Sequence, residues 1–250
     1  MIWTIVDMPA PYRPYAVNNR GKRMTATIAP RYRWLWLLAL AAGASYFFAA
    51  RSGLGPPAIV VWKGAGVALL ALWAGLHARS RDGWLLTLFL ALGATGDVLI
   101  ETAGLRTGGM VFLAGHIVAI VLFARNLRHD MSPSQKALAL VLAVTVPAIA
   151  AGLSASSAQA IGHAAYGLGL GVMAAAAWAS RFSRYRVGIG AIFFVLSDML
   201  IFARGGALAG SQLPALLIWP LYFAGQALIA WGVVGRLNAA DASATRAAAG

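Results

Sequence analysis

The chain has 250 residues, 60% of them hydrophobic and only 11% charged, with twenty Lys and Arg against seven Asp and Glu. A soluble domain of this size needs far more charge to solvate its surface, so a bilayer is the natural solvent for so apolar a chain. The absence of cysteine excludes disulfides, thiolate metal sites and cysteine nucleophiles. The formal charge of +13 would point to nucleic acid in a soluble protein, but here the charges lie between apolar stretches, and no nucleic-acid partner is expected.

Residues 1–33 carry Pro9, Pro11, Pro14, Arg20, Lys22 and Arg23 without helical or strand period, and read as a basic, disordered tail; Met24 offers a second candidate start. Apolar stretches of about spanning length follow at 34–50, 57–77, 84–102 and 109–126, then at 137–153, 158–180, 187–204 and 212–235. Gly53-Leu54-Gly55-Pro56-Pro57, Arg79-Ser80-Arg81-Asp82-Gly83 and Ser132-Pro133-Ser134 punctuate the joins. The first stretch is read as a retained helix, not a signal peptide, because the later ones need a membrane in any case. The pattern predicts an all-α, polytopic bundle of eight transmembrane helices over 34–235, followed by a short tail, 236–250.

Orientation follows from the basic residues in the short connections. With both termini cytoplasmic, sixteen of the twenty cations fall inside, only Arg51, Arg106 and Arg204 fall outside, and Lys63 lies within a helix. An internal repeat is also visible. Gly96-Asp97-Val98-Leu99-Ile100 in helix three parallels Ser197-Asp198-Met199-Leu200-Ile201 in helix seven, and Phe112-Leu113-Ala114-Gly115-His116 in helix four parallels Tyr222-Phe223-Ala224-Gly225-Gln226 in helix eight. Two four-helix halves in the same orientation account for both matches.

Ionisable groups at membrane depth are costly, so each is a functional candidate. Asp97, Glu101 and Asp198 are the acids in the predicted spans, joined by Lys63, His116, His163 and the amide of Gln226. Up-and-down topology puts Lys63, Asp97, His116, His163 and Asp198 in the outer half of the bilayer and Gln226 near its middle, which predicts one polar pocket. Simple pairing within the bundle is the bland alternative, but buried ion pairs are poor stabilisers once desolvation is counted. Glu101 shares the Asp97 face at i+4 but lies at the helix end, and Tyr222 is one turn from Gln226. His163 reads as a helix-end residue meeting water, His77 and His129 as loop residues, and the remaining Trp and Tyr as interface anchors and packing. Phosphate loop, G-x-S-x-G and H-E-x-x-H motifs are missing from the sequence, and His116, Asp97 and Asp198 have no spacing diagnostic of a metal.

Taken in order, Trp62-Lys63, Gly96-Asp97, Gly115-His116, Gly190-Ala191-Ile192-Phe193-Phe194-Val195-Leu196-Ser197-Asp198 and Tyr222-Phe223-Ala224-Gly225-Gln226-Ala227-Leu228-Ile229 resemble the YhhN family over roughly 34–235. Gly64 stands where family members often have Pro, and the tail 1–33 has no counterpart. Characterised members are lysoplasmalogenases, so the resemblance implies hydrolysis of the vinyl ether of a lysophospholipid to a fatty aldehyde and a glycerophosphoethanolamine or glycerophosphocholine. That chemistry needs an acid to protonate the alkene and a base to activate water against an oxocarbenium ion, roles two carboxyls can divide. Asp97 and Asp198 are the expected acid/base pair, with His116 orienting or relaying a proton. Tyr222 and Gln226 are expected to position water or glycerol, and Lys63 to hold the phosphate. No cofactor and no metal are expected; the expected partners are the lysophospholipid and membrane lipid.

A proton-coupled transporter or flippase using the same carboxylates is the alternative from another class, and a broken helix at the site would favour it. A hydrolase of another lysolipid bond and a structural protein are the remaining alternatives. The Ala- and Arg-rich composition points to a bacterial inner membrane.

Overall fold

The helices begin where the sequence supplies a cap or a proline. The computed structural model describes residues 32–248, whose elements are α1 (Arg33–Ala49), α2 (Pro56–His77), α3 (Arg81–Ala103), α4 (Leu105–Ala124), α5 (Pro133–Gly152), α6 (Ser157–Ala179), α7 (Ile189–Ala203) and α8 (Leu213–Ala248). Pro56 and Pro133 occupy first turns, where a missing N–H costs nothing. The hydroxyls of Ser80, Ser132 and Ser156 accept from the backbone N–H of Gly83, Gln135 and Gln159. A π-turn, Arg184–Gly188, leads into α7 and brings that segment to spanning length.

Seven of these segments are long and apolar enough to cross a membrane. With 17 residues, α1 rises about 26 Å, the lower end of what a hydrocarbon core of about 30 Å accepts. Leu72, Leu88, Ile117, Leu140, Val144 and Ile149 point outward from the bundle, a distribution that water penalises and lipid accepts. The exposed rings of Trp34, Trp84 and Tyr185 sit near helix ends, as interfacial aromatics do. The chain is an integral membrane protein.

Two sequence expectations are revised at the ends of elements. The predicted tail from 236 onward is helical as far as Ala248, because an Ala-rich segment extends an existing helix without a new nucleation step. The disorder expected for 1–33 falls almost wholly outside the described residues. His77 is not a loop residue: it closes α2, is buried, donates from Nδ1 to the Trp73 carbonyl at 2.8 Å, and meets Tyr32 edge-on. The Arg79-Ser80 punctuation begins only after it.

Alternation of the eight helices collects the basic connections at one end. There Asp82 accepts from Arg125 and Asn126, both at 2.8 Å, Arg181 donates to Asn126 Oδ1 at 2.9 Å, and Arg128 donates to the carbonyls of Ser180 and Phe182. Three loops are stitched into one polar rim. At the opposite end Arg51 donates to the carbonyls of Phe47 and Ala215, clamping the α1–α2 connection to the start of α8.

Some close contacts recur at positions that the internal repeat makes equivalent. A Cβ on Gly225 would lie 2.7 Å from the Gly190 carbonyl oxygen where α7 crosses α8, and one on Gly115 would approach the Phe89 carbonyl where α3 crosses α4. The slot of Gly66 in α2 receives the Phe223 ring of α8, and the slot of Gly169 in α6 receives Leu113 of α4. Gly93 of α3 faces Tyr222 and Gln226, while its equivalent in α7, Phe194, packs on Phe112 and His116. These contacts recur at positions that the sequence repeat makes equivalent, and the equivalent residues Phe112 and Tyr222 touch each other with ring centroids 5.6 Å apart.

Close backbone approach at these crossings excludes any side chain. Gly225→Ala is expected to lower the melting temperature in detergent, at a cost of about 1–3 kcal/mol for forcing a methyl onto a carbonyl. Gly109→Ala, whose added Cβ would meet nothing within 4 Å, should leave melting unchanged or slightly raised.

Candidate functional site

The carboxyls of Asp97 in α3 and Asp198 in α7 occupy equivalent places in the two halves, and both side chains are buried. A carboxyl at membrane depth needs a donor, and each finds a phenol. Tyr222 of α8 donates to Asp97 Oδ2 at 2.8 Å, and Tyr166 of α6 donates to Asp198 Oδ2 at 2.7 Å. Both pairs line one cavity of about 760 Å³, together with Lys63, His163 and Ser197 and the apolar side chains of Ile100, Met110, Phe112, Leu113, Ile201 and Phe202. Leu105 and Arg106 at the start of α4, and Ala158 and Gln159 at the start of α6, form its mouth. The cavity therefore opens at the end opposite the arginine-rich rim.

The two carboxyls are matched by the repeat but not their surroundings. At the position that the repeat makes equivalent to Tyr222, the first half carries Phe112, which has no hydroxyl and also lines the cavity. The place that Tyr166 fills is taken in the first half by Lys63, whose ammonium is bound to Glu101 at 2.6 Å, one turn beyond Asp97. One carboxyl thus sits near an ion pair and the other in an aromatic pocket. That is the kind of asymmetry by which two carboxyls come to differ in protonation.

The sequence-predicted residues fall into two shells. Lys63, Asp97, Asp198 and Tyr222 line the cavity, as does His163, whose Nδ1 lies 2.7 Å from Ser154 Oγ and whose ring stacks on Phe202. His116 and Gln226 lie behind this wall, fully buried, at equivalent places in α4 and α8. Neither nitrogen of His116 has a hydrogen-bond partner among the described residues, a costly state for a buried polar group, whereas the Gln226 amide lies beside the Tyr222 hydroxyl. His116 touches neither aspartate through a hydrogen bond; its ring meets Tyr166 edge-on, with centroids 5.3 Å apart. Gln226 and Tyr222 have room only because residue 93 is glycine, whose Cβ would lie 2.9 Å from Gln226 Nε2.

Tyr166 is the residue that sequence reasoning missed. Its signal was its position one turn after His163, on the face of α6 that carries Gln159 and Gly162, but a tyrosine near a membrane interface is too common to stand out. Ser197 and Trp219 were also overlooked. Their polar atoms bond to the Ile218 and Gly43 carbonyls at 2.9 and 2.7 Å, fixing α7 and α1 against α8 behind the site.

The order of motifs on this frame matches a family profile, that of the YhhN family, over residues 58–233. The chain belongs to the YhhN family. The matched region runs from α2 into α8 and includes both aspartates, both tyrosines, Lys63, His116 and Gln226. No curated protein and no solved structure shows a significant match to the chain.

Removing either phenol while keeping its ring separates these bonds from packing. Tyr166→Phe and Tyr222→Phe are each expected to lower thermal stability by about 1–3 kcal/mol, the cost of stranding a buried acceptor. Calorimetry in a single detergent would register this as a drop in melting temperature. Melting unchanged in both variants would mean that the phenols do not hold the carboxyls.

Proposed function

We propose that this YhhN-family protein is a lysoplasmalogenase-like hydrolase that cleaves the vinyl ether of a lysophospholipid. The observation that carries the proposal is the pairing of two buried, tyrosine-held aspartates of unlike surroundings on one largely apolar cavity. An alkenyl chain needs apolar walls, supplied by Leu113, Ile201 and Phe202, and its vinyl ether needs a proton donor and a base within reach. Each tyrosine engages one carboxylate oxygen, so the carboxyl's orientation toward the cavity is set before substrate arrives.

The chemistry closes on these two groups. One aspartic acid gives its proton to the β-carbon of the vinyl ether, and the ether oxygen shares its lone pair to form an oxocarbenium ion. The other aspartate removes a proton from water as the water oxygen bonds to the α-carbon, giving a hemiacetal. In the collapse, the second carboxyl returns its proton to the departing ether oxygen and the first takes the hemiacetal hydroxyl proton. Both groups end as they began, one water is consumed, and a fatty aldehyde and a glycerophospho-base are released. No cofactor is needed. His116 acts on this sequence through Tyr166, and Gln226 supports Tyr222 from behind.

Transport through the same groups would be favoured by a broken helix at the site, but α3 and α7 run unbroken past their aspartates and α8 continues through Pro220. In a bacterial inner membrane with the basic rim inside, the cavity would open toward the outer side of the bilayer.

Purified protein in detergent is expected to release aldehyde from lysoplasmenylethanolamine, with Asp97→Asn and Asp198→Asn each slower by about 10²–10⁴. Run in D₂O, with the aldehyde trapped as it forms, the product should carry one solvent deuterium on the carbon next to the carbonyl. An aldehyde lacking that deuterium would exclude protonation at carbon. An active double Asn variant would remove the aspartates from the chemistry.

A further inference from the structure

Two cations line the cavity, and they are not equivalent. Lys63 lies within the bundle, and its charge is already met by Glu101. Arg106 stands at the mouth, in the first turn of α4, and no hydrogen bond or ion pair engages its guanidinium among the described residues. It shares one face of α4 with Gly109, Met110 and Leu113, all of them lining the same cavity. Across the mouth, Gln159 of α6 shares a face with Gly162, His163 and Tyr166.

We propose that Arg106 binds the phosphodiester of the lysolipid headgroup, with Gln159 facing it, and so fixes the depth at which the vinyl ether stops. The inference rests on the hydrolase proposed above and names the headgroup contact of that site. Depth is the first support. From Arg106 to Leu113, and from Gln159 to Tyr166, each helix advances about 10 Å toward the floor of the cavity. In a lysoplasmalogen the phosphorus and the vinyl β-carbon are separated by a short chain of bonds of about 1.3–1.6 Å, the last of them the C=C itself, that spans roughly 8 Å when extended. A phosphate held at the mouth therefore places the alkene beside the tyrosine-held aspartates.

Charge is the second support. A phosphodiester brought to Lys63 would compete with Glu101 for its ammonium, whereas at Arg106 it would meet an unmatched guanidinium whose fork suits two phosphate oxygens. Arg106 is thus a substrate-binding residue and Lys63 a wall of the site.

The test is equilibrium binding to the full-length protein in nanodiscs, using 1-O-hexadecyl-glycerophosphoethanolamine and 1-O-hexadecylglycerol. Neither lipid has a vinyl ether, so binding is measured whether or not the protein cleaves one. Arg106→Ala is expected to weaken the phospholipid by about tenfold or more and leave the alkylglycerol unchanged, with Arg106→Lys intermediate. Arg204→Ala, a cation at the same end but outside the cavity, should change neither. Soluble glycerophosphoethanolamine should compete for the wild-type protein and not for Arg106→Ala.

Three results would overturn the assignment. Equal weakening by Arg204→Ala would reduce the effect to general surface attraction. Competition by inorganic phosphate as strong as that by glycerophosphoethanolamine would make this a free-anion site. Wild type binding both lipids equally would remove the phosphate contact while leaving the cleavage chemistry to stand on aldehyde release alone.

Discussion

A carboxyl placed inside a bilayer must be given a hydrogen-bond donor, and in a helical bundle that donor has to come from another helix. This requirement organises the protein. Asp97 and Asp198 cannot be satisfied by α3 or α7, whose backbone donors are spent on their own turns. Tyr222 and Tyr166 reach them from α8 and α6. The long tyrosine side chains span the gap between helices, and Gly93 leaves the room that Tyr222 and Gln226 occupy.

The parallel repeat explains why there are two carboxyls, and its imperfections explain why they are not alike. A perfect two-fold would give each aspartate the same phenol and the same neighbour. The pseudo-symmetry breaks at two places that matter: Phe112 stands where Tyr222 would be, and Lys63 stands where Tyr166 would be. The remaining equivalent contacts, Gly66 with Phe223 and Gly169 with Leu113, are packing and stay matched.

The spans were legible because twenty-residue apolar runs are a strong signal. Asp97 and Asp198 were legible because a carboxylate in an apolar run has no cheap explanation. Tyr166 was not, because its role depends on α6 lying against α7, a contact between residues 32 positions apart that no local pattern encodes. His77 was misread for the opposite reason: the punctuation that follows it is visible, but its bond to Trp73 is the ordinary closing of a helix. Sequence reveals Lys63 as a cation within a span but not its ion pair with Glu101.

The cavity also differs from a purely structural polar cluster in what it leaves unsatisfied. A bundle held together by its buried polar groups would pair them all, since each unpaired donor or acceptor costs about 1–3 kcal/mol. Here both nitrogens of the fully buried His116 are left without partners among the described residues, directly behind the Tyr166–Asp198 pair. Its burial is a standing cost that an apolar residue of similar volume would not incur. Such a cost is reasonable where the group is needed in another state, when a proton moves through the phenols or the carboxyls change charge. The same logic applies at the mouth, where an unmatched arginine stands at the rim of an apolar cavity.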